Sequence, residues 1–306
     1  MLAGASLAVG AAVPRLALAA RRFFGQGSPA IGLQLYVLGD MVDQDLDGAL
    51  TAVAAIGYRT VELPGFYGRT ARELKTALGK AGLECRSAHV PGQKLFPGHH
   101  LDGDVPALIA DAHMLGLEWI VMPMFPIPER FGPPGAAGLA TLREIARGLT
   151  LDDWRRTADF LNVKGAALKA GGLKLAYHNH NVEFAALDDT TGFDSLMEHT
   201  DPELVSIEMD VGWVVAAGRD PVEILRRHPD RVRLIHVKDL KAAPPNTELS
   251  MESTTVGAGS IDWKRLLAAA NAAGVGHYYV EQEPPYQEPR IDAARRSYQY
   301  LAQLSA

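Results

Sequence analysis

Histidines and carboxylates recur at one kind of place in this chain, the last residues of short apolar runs. Tyr177-His178-Asn179-His180-Asn181-Val182-Glu183 closes one such run and Glu208-Met209-Asp210 a second. His236-Val237-Lys238-Asp239 closes a third and Glu281-Gln282-Glu283 a fourth, while Glu62 and His89 end two earlier ones. If the runs are β-strands, side chains two apart share a face, which pairs His178 with His180, Glu208 with Asp210, and Glu281 with Glu283. Any one of these groups alone is an ordinary strand-end residue. Their recurrence at equivalent positions is what carries chemistry. Brought to one rim, so many carboxylates repel one another, and a divalent cation held by imidazole and carboxylate relieves that repulsion. Glu208 shares the face of Asp210 but lies deeper, where it would orient a ligand by hydrogen bonding.

The elements that must position these groups are legible from Ile31 onward. Strands are predicted at Ile31–Tyr36, Thr60–Leu63, Glu84–His89, Trp119–Pro123, Lys174–His180, Val205–Asp210, Val232–Val237 and Tyr278–Glu283. Amphipathic helical patterns alternate with them, among others at Leu46–Ile56, Ala71–Ala81, Trp154–Ala170, Pro221–His228 and Trp263–Ala272. Gly57, Gly82, Gly116, Gly171-Gly172 and Gly274 follow helical runs just before the next strand, as helix-ending glycines do. Eight strand–helix units predict an α/β chain closed into a single (β/α)8 barrel, whose strand carboxyl ends form one rim and hence one site. An open doubly wound sheet is disfavoured, because Gly39-Asp40-Met41 lacks a dinucleotide fingerprint after the first strand. Two long connections, Phe125–Leu142 and Asp239–Ile261, fall on the rim side, where such enzymes carry lids and substrate contacts.

These residues carry a resemblance. The chain resembles the xylose isomerase-like, sugar phosphate isomerase/epimerase superfamily of TIM barrels, which includes inosose dehydratases and endonuclease IV. The likeness runs from about Ile31 to Leu304. It rests on Val61-Glu62-Leu63, Ser87-Ala88-His89, Tyr177-His178-Asn179-His180 with Glu183-Phe184, and Glu208-Met209-Asp210-Val211-Gly212-Trp213. His236-Val237-Lys238-Asp239, Val256-Gly257-Ala258-Gly259 with Ile261-Asp262-Trp263, and Val280-Glu281-Gln282 complete it. The resemblance implies one divalent ion, often manganese, held at the ends of strands five to eight. Carried over by position, the ligands are His178, Asp210, His236 and Glu281, with His180 in reserve. His178 stands where the epimerases have glutamate, and two imidazoles with two carboxylates suit manganese, zinc, iron or cobalt better than magnesium.

The chemistry so implied is proton abstraction α to a carbonyl in a keto-sugar or polyol derivative, leading to isomerisation or epimerisation. Elimination by a lyase or dehydratase of inosose or 3-keto-glycoside type shares the same first step, and a noncatalytic sugar-binding barrel is the remaining alternative. The acid/base candidates are Glu183, Glu281, Lys238 and His89. Glu62, His89, His180, Trp213, Lys238 and Glu283 are the candidate substrate contacts. Gly257-Ala258-Gly259-Ser260 ahead of Asp262 reads as a turn and helix cap rather than a phosphate loop.

Composition narrows the partners. The 306 residues carry 30 Lys and Arg against 36 Asp and Glu, a net charge of −6, so phosphate neutralisation gives no warrant for nucleic-acid binding. The expected partner is a small carbohydrate, with self-association into a homo-oligomer possible in this class. Cys85 is the single cysteine, which excludes an intrachain disulfide; its apolar setting predicts a small core residue. Residues 1–29 read as an export signal and disordered segment, and 30–306 as the barrel. The apolar Leu2–Val13 run and Ala17-Leu18-Ala19 resemble a signal lacking its basic start, hence a periplasmic or exported protein, or a cytoplasmic one if the segment is no signal. The run is too short and too broken by Pro14 to anchor the chain in a membrane.

Overall fold

In the computed structural model, residues 22–25, 27–95, 97–132 and 138–305 are described. The export-signal reading falls on residues 1–29, of which 1–21 and 26 lie outside the described residues. Eight parallel strands close into a barrel in chain order. They are β1 Ile31–Gln34, β2 Thr60–Leu63, β3 Glu84–His89, β4 Trp119–Met122, β5 Lys174–His178, β6 Val205–Asp210, β7 Val232–Val237 and β8 His277–Val280. The chain is therefore a single (β/α)8 barrel, as the alternation of its sequence predicts.

The helices form for local reasons. Leu46–Ile56 buries Leu46, Ala49, Leu50 and Val53, one stripe at helical spacing, and Asp45 caps it by accepting from the Gly48 amide. Ala71–Ala81 starts on a capping box in which Thr70 and Glu73 satisfy each other's amides, and it ends at Gly82 with φ of 68°, a left-handed turn. Leu151–Ala170 starts the same way, with Thr150 and Asp153. Inside the barrel, Trp119, Val121, Ala176, Leu234 and Tyr279 form an apolar plug toward the amino-terminal ends of the strands. The polar groups sit above it.

Four strands end earlier at the rim than their patterns suggest, β4 by one residue at Met122. β1 stops at Gln34 because Leu35–Leu38 turns into a 3-10 helix, and β5 stops at His178. β8 stops at Val280; the Glu281 amide still donates to the Val237 carbonyl at 3.2 Å, and β7 itself ends at that residue. His180, Glu281 and Glu283 thus lie in rim loops just beyond the ladder. Before β1, Phe23 donates its amide to the Leu304 carbonyl and the Phe24 ring meets Tyr278 edge-on at 5.3 Å, which packs Arg22–Gly25 against the barrel. Cys85 is buried in the core as expected.

The two long connections are tied down. Asp239–Leu240 and Ser253–Thr254 pair as a small antiparallel ribbon, and Asn181 reaches across to the Asn246 carbonyl at 2.9 Å. The first connection carries a 3-10 turn, Glu129–Phe131, and a helix, Leu139–Arg147, where the sequence reading had loop; Arg143 from that helix donates to the Glu248 and Leu249 carbonyls of the second connection. Among the described residues no helix is long and apolar enough to cross a membrane.

Candidate metal centre

Register places the polar groups in layers. Gln34 stands opposite Glu62 on β1 and β2, His178 opposite Glu208 on β5 and β6, and Asp210 opposite His236 on β6 and β7. A shift of register at Ile207/Glu208, of the kind a β-bulge makes, sets the Asp210–His236 alignment, and a second at Val61/Glu62 sets β2 against β3. The shift in β2 puts Glu62 opposite Ser87.

His178, Asp210, His236 and Glu281 are all buried, and each offers a ligand atom within 4.8 Å of the others. Their orientations have separate local causes. Asp210 is the last residue of β6 and the N-cap of the helix Val211–Ala216: its Oδ1 accepts from the Trp213 amide at 3.0 Å, which leaves Oδ2 for the interior. Asn179 holds the same turn by accepting from the Asp210 amide at 3.1 Å. His178 Nδ1 faces Glu208 Oε2 at 3.0 Å, so its Nε2 is turned to Asp210 Oδ2 at 3.8 Å. His236 Nε2 faces Glu62 Oε2 at 2.6 Å and its Nδ1 faces Glu281 Oε2 at 2.6 Å. A carboxylate behind each imidazole is the arrangement that fixes the tautomer and direction of a metal-bound histidine.

A second set, His89, His178, Glu208 and His236, brings its ligand atoms within 4.8 Å of one another deeper in the barrel. Its atoms are already joined to each other. Glu208 Oε2 lies 3.0 Å from His89 Nε2, 3.0 Å from His178 Nδ1 and 3.2 Å from His236 Nε2, a shared acceptor beneath three rings. Glu208 thus has the orienting position its depth suggested. The outer set presents the donor chemistry a borderline divalent ion takes, two imidazoles and two carboxylates.

Charge in the cluster is balanced by neighbours. Burial favours neutral His178, and His236, His180, His89 and Lys238 push in the same direction, so its affinity for a proton is well below normal and it is held in the ligand form. His236 goes the other way: burial alone would discharge it, but Glu208, Glu281 and Glu62 hold it protonated, and a metal would replace that proton. Burial raises the Asp210 carboxyl to about 6 despite Lys238. Glu281 is held well below the usual carboxylate range against its own burial, by Lys238 and then His236. The Lys238 ammonium is itself buried and kept charged by Asp210, Glu281 and Glu283.

Several residues chosen from sequence take other positions. Glu62 is fully buried, with its oxygens engaged by Gln34 at 2.8 Å, by Ser87 and by His236, so it backs His236. Glu183 is also fully buried: Oε1 accepts from the Tyr177 hydroxyl at 2.6 Å and Oε2 from the His180 amide at 2.9 Å. Its burial raises it to about 7, and its two hydrogen bonds fold the loop after β5. Trp213 is 3% exposed and packs with Ala216 and Leu240, beneath His180 and Lys238 instead of offering a face to a sugar. His180 has left the strand, so it does not share the face of His178 and joins neither ligand set, although the two rings are 5.2 Å apart. His89, Lys238 and Glu283 do reach the rim: His89 stacks on His236 at 5.4 Å, and Glu283 lies 2.7 Å from the Lys238 ammonium.

The sequence reading gives no role to Gln34, Ser87, Tyr177 and Asn179, the groups that hold Glu62, Glu183 and Asp210. Only their positions beside the charged residues hint at them. It also gives no role to Asp239, which is fully buried beneath the Gly257–Ile261 turn. Its carboxylate accepts from the amides of Gly257, Gly259 and Ile261 and from the Trp263 indole. The amides that might have cradled a phosphate are thus satisfied internally, and Asp262 caps the following helix as expected.

Comparison with known proteins agrees with this architecture. A family model described as a xylose isomerase-like TIM barrel matches residues 50–304. An inosose dehydratase of Salmonella typhimurium is 28% identical over 275 residues, which cover 83% of this chain and 87% of the relative. A solved sugar phosphate isomerase/epimerase from Parabacteroides distasonis is 25% identical with a TM-score of 0.71, covering 90% of this chain and 98% of the other. The 3-keto-D-glucoside 4-epimerase of E. coli shares the fold, with a TM-score of 0.63 at 17% identity and coverage of 90% and 99%.

Proposed function

The chain belongs to the xylose isomerase-like TIM-barrel family and is an enzyme of its sugar isomerase, epimerase and lyase group; from that premise we propose that it is a metal-dependent lyase that removes water, or another β-leaving group, from a cyclic keto-polyol or keto-glycoside. His178, Asp210, His236 and Glu281 would hold the ion, for which manganese, zinc, iron or cobalt suits the donors. When bound, such an ion supplies Lewis-acid charge for the oxygen that becomes an enolate.

The observation that carries the choice of elimination is the asymmetry of the acid/base groups. Epimerisation by proton exchange on two faces of a carbon calls for two groups opposed across it. Here Glu281 is at the rim, but β5 ends in His178 with Nδ1 engaged by Glu208, and Glu183 is closed off. Elimination needs one base and one acid. Glu281, 7% exposed, takes the proton α to the carbonyl; the C–O bond at the β carbon then breaks, and the departing oxygen takes a proton from Lys238, the neighbour that is kept charged. His89, beside His236 at the mouth, is placed to contact substrate oxygens. The similarity to inosose dehydratase over most of both chains supports the same branch.

The test is incubation of metal-loaded protein with an inosose and, separately, a 3-keto-glycoside in heavy water, followed by NMR and mass spectrometry. Loss of water or aglycone is expected, with no reaction in Glu281→Gln. Deuterated epimer of unchanged composition would instead establish the isomerase reading, and binding without deuterium uptake the noncatalytic one.

A further inference from the structure

Lys238 lies where a cation would be drawn. Its side chain is 1% exposed, and its ammonium is 2.8 Å from Asp210 Oδ2, 3.1 Å from Glu281 Oε2 and 2.7 Å from Glu283 Oε1. The first two oxygens are the ones turned to the imidazoles: Asp210 Oδ2 is 3.8 Å from both His178 Nε2 and His236 Nδ1, and Glu281 Oε2 is 2.6 Å from His236 Nδ1. The place is shaped for this side chain. A Cβ at residue 212 would come within 2.9 Å of Lys238 Cγ, so Gly212 leaves the room its stem occupies, and the Trp213 ring centre is 5.2 Å from the ammonium. Glu283 differs from the other two acids. It stands outside the ligand set and its side chain is 28% exposed.

We propose that Lys238 is a resident counter-cation that competes with the divalent ion for Asp210 and Glu281 and withdraws toward Glu283 when the ion binds. The inference rests on the reading that the four rim residues hold the ion, and adds to it a residue that sets affinity without being a ligand. Two neighbouring carboxylates buried without a counter-charge are strongly unfavourable, so the metal-free protein needs the ammonium. A dication and an ammonium drawn to the same two oxygens repel, so the ammonium that stabilises the metal-free state lowers affinity for the ion. The expected sign is opposite to that of a residue that merely holds the carboxylates in place, whose removal weakens metal binding.

The experiment is equilibrium dialysis and titration calorimetry with Mn²⁺ and Zn²⁺ on the wild-type chain and on Lys238→Met, Lys238→Arg and Glu283→Gln. Lys238→Met should bind about tenfold more tightly or better. Lys238→Arg, which keeps the charge, should stay near wild type, and Glu283→Gln, which removes the site of withdrawal, should bind more weakly. Melting temperatures in chelator and in saturating metal give a second readout, with the largest metal-induced rise in Lys238→Met. If that variant does not fold without metal, Glu283→Gln decides: unchanged or tighter binding there overturns the proposal. Lys238→Met binding no more tightly than wild type also overturns it while leaving the metal site intact. A wild-type chain that takes up neither ion removes the site reading and this inference together.

Discussion

Asp239→Asn should destabilise the fold by several kcal/mol although it exchanges a single oxygen for an amino group and lies outside the reacting groups. The carboxylate accepts from five N–H donors, the amides of Leu240 at 3.0 Å, Gly257 at 2.9 Å, Gly259 at 3.2 Å and Ile261 at 3.3 Å, and the Trp263 indole at 2.9 Å. An asparagine offers one acceptor oxygen, with two lone pairs, and turns its amino group toward the remaining donors. About three N–H groups then lose their partner. At roughly 1–3 kcal/mol for each buried donor, less where water enters the loop, the total is about 3–5 kcal/mol. For a chain of this size that corresponds to a fall of roughly 5–8 °C in Tm. Differential scanning calorimetry measures it, with urea denaturation as a check that the slope, and so the surface exposed on unfolding, is unchanged. Formate, the carboxylate that Asp239→Ala lacks, should restore part of that variant's stability and leave wild type unaffected. A Tm within about 1 °C of wild type in Asp239→Asn would refute the argument that this one carboxylate organises the Gly257–Ile261 turn.

Three further outcomes are expected. Glu208→Gln should keep the fold but weaken Mn²⁺ or Zn²⁺ binding about 10–100-fold in calorimetry, because the acceptor that orients His178 loses its charge; equal affinity would remove Glu208 from the support of the site. Glu183→Gln should cost about 1–3 kcal/mol in urea unfolding through its contacts with Tyr177 and the His180 amide, while metal affinity stays within severalfold of wild type; abolished turnover at full stability would return Glu183 to the acid/base role. Asp153 links stability to pH. Burial pushes its carboxyl up, but Arg130, Thr150 and Arg156 more than reverse this and hold it far below the usual range. A group lowered in the folded state contributes above its unfolded pKa, so the advantage of wild type over Asp153→Asn should be complete near neutrality and shrink as pH falls below about 4. Melting curves of the two proteins from pH 7 downward show it, and parallel curves throughout would contradict it.

The local sequence determined the elements and the identity of the rim residues. Alternation of apolar runs with helical stripes at Leu46–Ile56 and Ala71–Ala81, closed by Gly82, depends on neighbours a few residues apart, and so does the presence of His178, Asp210, His236 and Glu281 at the ends of successive strands. Residue type and spacing also gave Glu208 its deeper place below Asp210. Tertiary structure decided which of these groups are open and which are used up. Glu62 and Glu183 look as available in sequence as Glu281, but Gln34, Ser87 and His236 enclose the first and Tyr177 and the turn after β5 the second. The register shift in β2, the end of β5 at His178 and the position of Lys238 between Asp210 and Glu281 arise only when the barrel closes. Hydrogen-bond capacity and charge balance are settled among residues far apart in the chain, and periodicity along the chain carries no record of those partners.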